Sequence, residues 1–293
     1  MARFGPVMTA MVTPFDDNGR VDLDGTAALA SWLVEQGNDA LVITGTTGEA
    51  STLTDDEQTE VWKVARAAVD VPLIAGSGTN DTRHAAELTA KADAIGIDAV
   101  LVVTPYYNRP SQAGLEAHFR HIAAATRLPV MLYDIPIRTG RKISTELLLR
   151  LVNDVPNIWA VKDAAGDPAE SARLIAEAPA DFELYSGDSA LTLQLLSVGA
   201  VGVIGVCTHW AAREMGELIA AYEKGEVQRA REINARLIES YDFESGDLNP
   251  NPVPTKAMLR VLGQPAGQCR LPMGPTPDGL EDRAREVLKN LHG

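Results

Sequence analysis

Short apolar segments alternate with longer segments of helical periodicity along most of the chain. The apolar segments are mostly continuous, without regular alternation of polar residues, which is typical of parallel strands covered on both faces. We predict eight strands, at residues 7–12, 40–44, 72–75, 99–103, 130–133, 158–162, 183–186 and 201–206.

A segment with helical spacing follows each predicted strand. In the first of these segments, Leu29, Trp32 and Leu33 lie on one helical face. The second opens with Thr-Asp-Asp-Glu, a capping box in which Thr54 is the N-cap and Glu57 lies three residues later. The predicted helices cover residues 23–35, 54–69, 82–95, 114–126, 145–152, 168–177, 189–198 and 211–223.

Eight strand–helix units in succession predict an α/β fold, a closed (β/α)8 TIM barrel at residues 1–224. An open, doubly wound sheet is the alternative, because it requires no fixed number of strands. Residues 225–293 carry no strand pattern, and we expect them to form a helical C-terminal extension packed on the barrel. We expect Pro252, Pro254 and Lys256 to fix the path of the chain there. The extension has predicted helices at 226–240, 254–262 and 278–291.

Composition narrows the partners of the protein. The chain has 293 residues and a formal net charge of −14, which repels nucleic-acid phosphates and anionic lipid head groups. We therefore expect neither nucleic acid nor a membrane as a partner. Residues 1–15 do not resemble a signal peptide, and Cys207 and Cys269 form no disulfide framework. We expect a cytoplasmic protein with reduced thiols.

Lys162 is the first candidate reactive residue. The active site of a barrel lies at the carboxyl ends of its strands, and Lys162 ends the otherwise apolar sixth strand. Desolvation there lowers the pKa of a lysine, and a partly neutral lysine can attack a carbonyl group to form a Schiff base. The alternative is a solvated lysine that pairs with Asp163.

Other strand ends carry groups that suit carboxylate binding and proton transfer. The segment Gly-Thr-Thr-Gly-Glu at 45–49 offers backbone N–H groups and hydroxyls to a carboxylate, although it can also be an ordinary turn. Tyr133 can pass protons over a Schiff-base carbon or be a core tyrosine. Arg138 can bind a carboxylate through two parallel hydrogen bonds or form a surface ion pair. Tyr106 and Tyr107 can equally be packing or interface residues.

The histidine pattern does not indicate a metal site. His118 and His121 lie three residues apart on a predicted helix, but they do not form the His-Glu-x-x-His pattern and no third ligand is evident. We therefore predict no metal site. The chain also has no Gly-x-Ser-x-Gly elbow that would indicate hydrolase chemistry.

Taken together, the motifs resemble the dihydrodipicolinate synthase family, within the larger group of pyruvate-dependent barrel lyases and aldolases. The resemblance covers essentially the whole chain, and the ordered set of motifs is highly specific. The motifs are Gly-Thr-Thr-Gly-Glu at 45–49, Thr-Pro-Tyr-Tyr-Asn-Arg-Pro at 104–110, Tyr-Asp-Ile-Pro-x-Arg-Thr-Gly at 133–140, Val-Lys-Asp at 161–163, Ser-Gly-Asp at 186–188 and Asn-Pro-x-Pro-x-Lys at 251–256.

The resemblance implies a Schiff-base lyase of the diaminopimelate route to lysine. Such an enzyme condenses pyruvate with aspartate 4-semialdehyde to 4-hydroxy-tetrahydrodipicolinate. Lys162 matches the Schiff-base lysine, and Thr46, Tyr107 and Tyr133 match a proton-relay triad. Tyr107 would reach into the active site of a neighbouring subunit, which implies a homo-oligomer. Many family members are tetramers built as two dimers.

Further residues match substrate-binding positions of the family. Thr46 and Thr47 would hold the pyruvate carboxylate, and Arg138 would bind the carboxylate of the semialdehyde. The backbones of Gly187 and Ile204 would lie beside the lysine and the substrate. No metal or organic cofactor is implied, because the lysine itself acts as the electron sink.

A candidate effector pocket matches the family only in part. Asn80 and Tyr106 match the pocket that binds feedback lysine, but His84 stands where a lysine-binding glutamate would be. Asp55 and Gln58 stand at positions that are often histidine. Since a histidine cannot neutralise an ammonium group as a carboxylate does, we expect inhibition by lysine to be weak or absent.

Two further departures and two rival functions remain. Asp134 stands where several members have asparagine, and Ala165 where threonine is frequent.

A sialic-acid or sugar-acid lyase of the same group is the nearest rival, but Tyr107 and Arg138 favour the synthase. A catalytically silent barrel that binds a small carboxylate is a rival of a different class.

Overall fold

The strands close into a barrel. The computed structural model describes residues 2–292 of the chain. Each strand pairs in parallel with the next along the chain, and the eighth pairs with the first. The predicted (β/α)8 barrel is therefore confirmed, and the open-sheet alternative is wrong. The strands are β1 (Val7–Ala10), β2 (Ala40–Ile43), β3 (Leu73–Gly76), β4 (Ala99–Val103), β5 (Val130–Asp134), β6 (Ile158–Asp163), β7 (Glu183–Ser186) and β8 (Gly202–Gly205).

Helices connect the strands and cover the outside of the barrel. Those of the barrel are α1 (Leu23–Glu35), α2 (Asp55–Ala68), α3 (Thr82–Ile95), α4 (Gln112–Ala123), α5 (Pro136–Thr139), α6 (Thr145–Asp154), α7 (Pro168–Glu177), α8 (Thr192–Leu196) and α9 (Thr208–Glu223). After them come α10 (Val227–Glu244), α11 (Val253–Val261) and α12 (Leu280–His292). Within the described residues, no helix is long and apolar enough to cross a membrane.

Local side-chain hydrogen bonds explain where several helices begin. The hydroxyl of Thr54 accepts from the N–H of Glu57, and the Glu57 carboxylate accepts from the N–H of Thr54, so the predicted capping box is present. Asp81 caps α3 in a similar way. The pattern did not predict α5, because four residues are too few to show a helical period.

The interior of the barrel is filled by alternate strand residues. Side chains of β5 and β6 that point inward include Met131, Tyr133 and Ala160, which share one buried cluster. Lys162 lies two residues after Ala160 on β6 and pairs in register with Tyr133. Because side chains of a strand alternate between its two faces, Lys162 also faces the interior.

The C-terminal helices pack as predicted on the outer side of the barrel. Trp210 and Met215 of α9, Leu237 of α10, Met258 of α11 and Val287 of α12 belong to one buried apolar cluster. That cluster also contains strand residues, so the extension is continuous with the barrel core. The proposed division at residues 1–224 and 225–293 stays a prediction.

Candidate active site

Lys162 lies inside the barrel near the carboxyl end of β6. Its side chain is 5% exposed, and its Nζ lies 4.4 Å from the centre of the Tyr133 ring. Burial is the main cause that lowers the pKa of Lys162 from 10.5 to about 7, while the Glu244 carboxylate raises that pKa and Arg138 lowers it. The structure thus excludes the solvated lysine and leaves an amine that is neutral in a large fraction of molecules at pH 7.

Tyr133 occupies the neighbouring position on β5. It is also 5% exposed, and burial raises the pKa of its phenol well above the usual value, against a smaller lowering effect of Arg138. The hydroxyl therefore keeps its proton at neutral pH. A neutral phenol beside this amine can donate a proton to, or relay one from, an atom bound to the amine.

A cavity of about 270 Å³ opens at the carboxyl ends of the strands next to these two residues. Its lining includes Thr46, Tyr106, Tyr133 and Arg138, and Lys162 lies beside it against the Tyr133 ring. This volume suits a ligand of the size of a small keto acid. Several sequence-predicted site residues from separate strands therefore meet at one place.

The segment at 45–49, which we call the 45–49 loop, forms a tight turn after β2. Thr46 is exposed toward the cavity, whereas Thr47 is buried and its Oγ1 accepts a hydrogen bond of 2.8 Å from Asn251 Nδ2. A β-carbon on Gly48 would lie 3.0 Å from the Cα of Thr44, so a larger residue would disturb the turn. The loop therefore places Thr46 in the lining of the cavity, beside which Lys162 lies against the Tyr133 ring.

Gly187 and Ile204 are the other two residues that we expect beside the lysine. A β-carbon on Gly187 would lie 3.0 Å from Cγ of Lys162, so the absence of a side chain gives the lysine its space. Ile204 is fully buried in β8 and belongs to the interior cluster that contains Tyr133. Their proposed place beside the substrate stays a prediction.

Arg138 lies on α5 at the entrance to the cavity. Its side chain is exposed, and its Nη2 donates a hydrogen bond of 3.3 Å to the carbonyl oxygen of Asn251. Because this partner is a neutral carbonyl, the guanidinium keeps its positive charge and further donors for an incoming carboxylate.

Tyr107 does not join the site within one chain. It is 91% exposed and lies outside the lining of the cavity, on the loop after β4. Its φ of 72° is in the left-handed region, which is unusual for a tyrosine. The structure thus brings Thr46 and Tyr133 together but leaves the third residue of the expected triad apart from them.

The residues of the candidate effector pocket form two small groups. Asn80 Nδ2 donates to the carbonyl oxygen of Tyr106 at 3.3 Å. On the neighbouring helices, Asp55 contacts Lys91 Nζ at 2.8 Å and His84 Nε2 at 2.8 Å. The hydrogen bond from Lys91 is the main cause that lowers the pKa of Asp55, followed in the same direction by His84. Both carboxylate oxygens of Asp55 are therefore engaged by side chains of the chain itself.

The two sequence departures lie outside the barrel lumen. Burial raises the pKa of Asp134 to about 6, against a lowering effect of Lys142, whose Nζ lies 3.5 Å from the carboxylate. The N–H of Ala165 donates to Asp163 at 2.9 Å, and Asp163 also accepts from Ser171. These contacts support the β5 and β6 ends from behind without touching the Lys162 amine.

Three residues of the C-terminal extension contribute to the site, and their roles could not be derived from the pattern. Asn251 contacts Thr47 and Arg138, Lys256 contacts Glu49, and Glu244 accepts hydrogen bonds from Ser189 and the N–H of Cys207. The motif at 251–256 was the available signal for two of them. For Glu244, the helical periodicity of α10 shows a polar residue but gives no sign that it contacts the site.

The remaining candidate ligands have ordinary structural partners. His118 Nδ1 forms a hydrogen bond of 2.9 Å with Thr82 Oγ1, and Cys207 and Cys269 are free thiols. Over residues 2–292, no group of three or more His, Cys, Asp and Glu side chains has an arrangement that could hold a metal ion.

Comparisons with known proteins point to one family. The sequence profile of the Dihydrodipicolinate synthetase family matches residues 3–291. A 4-hydroxy-tetrahydrodipicolinate synthase of Moorella thermoacetica is 46% identical over 289 residues, which cover 98% of each chain. The crystal structure of DHDPS from Cyanidioschyzon merolae with lysine bound has a TM-score of 0.96 and 41% identity, and the match covers 99% of this chain and 98% of that one. A chloride-inhibited dihydrodipicolinate synthase of Acinetobacter baumannii complexed with pyruvate has a TM-score of 0.93 and 37% identity, with 99% of each chain covered.

Proposed function

This chain belongs to the dihydrodipicolinate synthetase family, and from this premise we propose that it condenses pyruvate with aspartate 4-semialdehyde to 4-hydroxy-tetrahydrodipicolinate. One observation carries the proposal: the buried Lys162, with a pKa of about 7, lies against Tyr133 beside a cavity. The names of the relatives and the pyruvate bound to the Acinetobacter baumannii protein support the choice of substrates.

The reaction begins at the Lys162 amine. In its neutral form the amine attacks C2 of pyruvate, the carbinolamine loses water, and an iminium ion forms. Thr46, Thr47 and the backbone of the 45–49 loop hold the pyruvate carboxylate. Gly187 leaves room beside the lysine, and the backbone of Ile204 lies beside the lysine and the substrate. The buried setting thus supplies the neutral nucleophile.

Proton transfer then makes the carbon nucleophile. The positive charge of the iminium acidifies the pyruvate methyl group, and Tyr133, with Thr46 and a neighbouring copy's Tyr107, relays the proton away to give an enamine. The enamine carbon attacks the aldehyde of the semialdehyde, whose carboxylate is bound by Arg138. The substrate amine finally attacks C2 and expels Lys162, so the reaction requires no metal or organic cofactor.

We also propose that the protein works as a homo-oligomer, with a dimer as the smallest complete unit and two dimers in the full assembly. The support is the position of Tyr107, which is 91% exposed and outside the cavity of its own chain. A residue that completes the triad must then come from another copy.

A trapping experiment tests the proposed function. The protein is incubated with pyruvate, reduced with borohydride, and digested for mass spectrometry. A pyruvate-derived adduct on the peptide containing Lys162 is expected, followed by turnover when aspartate 4-semialdehyde is added. A sugar-acid lyase would give the same adduct but turn over sugar acids instead, and a silent barrel would give no adduct.

Adduct formation should depend on pH with a midpoint near 7. Only the neutral amine reacts, and the pKa of Lys162 is lowered to about 7, so the initial rate of trapping should rise from pH 6 to pH 8 and then level off. Glu244→Gln provides the comparison, because removal of a carboxylate that raises this pKa should move the midpoint to lower pH. A midpoint above pH 9 in the unmodified protein would contradict a desolvated amine.

Arg138→Ala should weaken the use of the second substrate. Removal of the guanidinium removes a charge-assisted contact with the semialdehyde carboxylate, so the KM for semialdehyde should rise by about tenfold or more while the KM for pyruvate changes little. Initial rates with each substrate varied in turn measure both constants. A collapse of pyruvate affinity with unchanged semialdehyde affinity would refute the assigned role.

Lysine in the millimolar range should inhibit the enzyme weakly or not at all. We propose that Asn80, Tyr106 and His84 mark the effector pocket, which lacks a free carboxylate because Asp55 is engaged by Lys91 and His84. The initial-rate assay is repeated on His84→Glu, where the added carboxylate should increase inhibition. Strong inhibition of the unmodified enzyme would refute this prediction.

A further inference from the structure

We propose that Glu49 and Lys256 are positioning residues, and that their buried ion pair holds the 45–49 loop in the conformation that binds the substrate carboxylate. The proposal rests on the proposed function, because it assigns carboxylate binding to Thr46 and Thr47. It extends that function by giving the C-terminal extension a part in substrate binding.

The ion pair is completely buried. Lys256 is 0% exposed, and its Nζ lies 2.7 Å from Oε1 of Glu49. The same Nζ donates to the carbonyl oxygen of Gln268 at 3.2 Å and lies 4.0 Å from the centre of the Phe15 ring. The other carboxylate oxygen of Glu49 accepts from the N–H of Arg270 at 2.8 Å. The Glu49 side chain is thus fixed from two sides by the C-terminal region.

The backbone of Glu49 requires such support. Its φ is 55°, in the left-handed region, and its N–H donates to the carbonyl oxygen of Thr46 at 3.1 Å, which closes the turn. A non-glycine residue in this conformation is strained and persists only where its surroundings hold it. A side chain that is fixed at Glu49 therefore also fixes the turn that carries Thr46 and Thr47.

Side chains from outside the 45–49 loop hold three consecutive residues of it. Asn251 donates to the Thr47 hydroxyl at 2.8 Å, the hydroxyl of Thr13 donates to the carbonyl oxygen of Gly48 at 2.7 Å, and Lys256 pairs with Glu49. Two of these three contacts come from the segment at the start of α11. The barrel itself provides only the contact from Thr13.

Stability alone is a poor reason for this pair. Burial of two charges costs several kcal/mol per ion, and replacement of a buried ion pair by apolar groups of similar volume is often neutral or stabilising. A buried ion pair at the base of a turn that binds substrate is better explained by the geometry that it imposes on the turn. The pyruvate KM therefore tests the positioning role, because a purely structural role would change the Tm and leave this KM unaffected.

Lys256→Met tests the proposal in the full-length protein. Loss of the tether should let the turn move, and a displacement of about 1 Å is enough to raise the KM for pyruvate by tenfold or more. The adduct on Lys162 should still form at saturating pyruvate. The matched control is Arg260→Met on the same helix, whose guanidinium pairs with Glu281 at 2.8 Å. It should lower the Tm and leave the pyruvate KM unchanged.

The double variant Glu49→Gln/Lys256→Met separates positioning from stability. It removes both charges, so its Tm should return toward that of the unmodified protein while the pyruvate KM stays raised. If the pyruvate KM recovers together with the Tm, or never changes in Lys256→Met, the positioning role is overturned. Absence of any adduct in the unmodified protein would instead overturn the proposed function.

Discussion

Replacement of Lys162 by alanine or methionine should lower turnover by several orders of magnitude and abolish the borohydride-trapped adduct. The reason is the loss of the covalent route, since within residues 2–292 the lining of the cavity contains no lysine that could replace it. The measurements are initial rates with both substrates and mass spectrometry of the reduced protein. Methionine is the better test of chemistry, because it keeps most of the side-chain volume.

The same substitution should leave the protein as stable as before or more stable at pH 7. The pKa of Lys162 is lowered from 10.5 to about 7 by burial, which corresponds to roughly 5 kcal/mol of unfavourable free energy for the folded state. The unfolded chain binds more protons between these two values, so this deficit is complete below pH 7 and disappears as the pH rises through 10.5. The Tm advantage of Lys162→Met should accordingly shrink between pH 7 and pH 10.

Lys63→Met is the control for loss of one lysine charge. Lys63 lies on the surface of α2 and pairs with Glu60 at 2.8 Å, with 55% of its side chain exposed. It should keep full activity and show no comparable change in Tm with pH. A pyruvate adduct on another lysine of Lys162→Met would place the nucleophile elsewhere and refute the mechanism.

The local pattern of apolar and polar residues was enough to predict the strands and helices that surround the site. The continuous apolar runs predicted eight strands, and the Thr54 capping box placed the start of α2. The position of Lys162 at the end of an apolar strand predicted its burial, because side-chain alternation and strand order together decide which way it faces. These features depend on residues close together in the sequence.

Contacts over long sequence distances could not be predicted in this way. The pairing of Lys256 with Glu49 joins residues at opposite ends of the chain, and no period in either segment encodes it. The role proposed for the exposed Tyr107 depends on a neighbouring copy, and no pattern within one chain describes a contact between copies. The resemblance to a family pointed to the motifs that contain Glu49 and Lys256 and to Tyr107. It did not supply the geometry that relates Lys256 to the 45–49 loop.

Burial acts in opposite directions on the two central residues of the site. It lowers the pKa of Lys162 and raises the pKa of Tyr133, because in each case the low-polarity surroundings disfavour the charged form. At pH 7 the resting site therefore has an amine that is neutral in a large fraction of molecules, next to a neutral phenol. In the proposed mechanism, the iminium that forms from the neutral amine and pyruvate places a positive charge there, and that charge favours loss of a proton from the methyl group toward the relay.

Tyr133→Phe should separate formation of the iminium from formation of the enamine. The variant keeps the Lys162 amine and most of the packing, so pyruvate and borohydride should still give the adduct. Exchange of the pyruvate methyl protons for deuterium, measured by NMR in the absence of semialdehyde, should slow by about 10²–10⁴-fold, because the proton-relay hydroxyl is missing.

The matched control is Tyr185→Phe. Tyr185 is also a buried tyrosine in the barrel interior, but it lies on β7 and its hydroxyl donates to Glu183 at 2.9 Å. It should lose some stability and retain methyl exchange, since its hydroxyl is already engaged away from the amine. If Tyr133→Phe exchanged the methyl protons as fast as the unmodified enzyme, the proton would have to leave by another group. Tyr133 would then serve only to exclude water from Lys162.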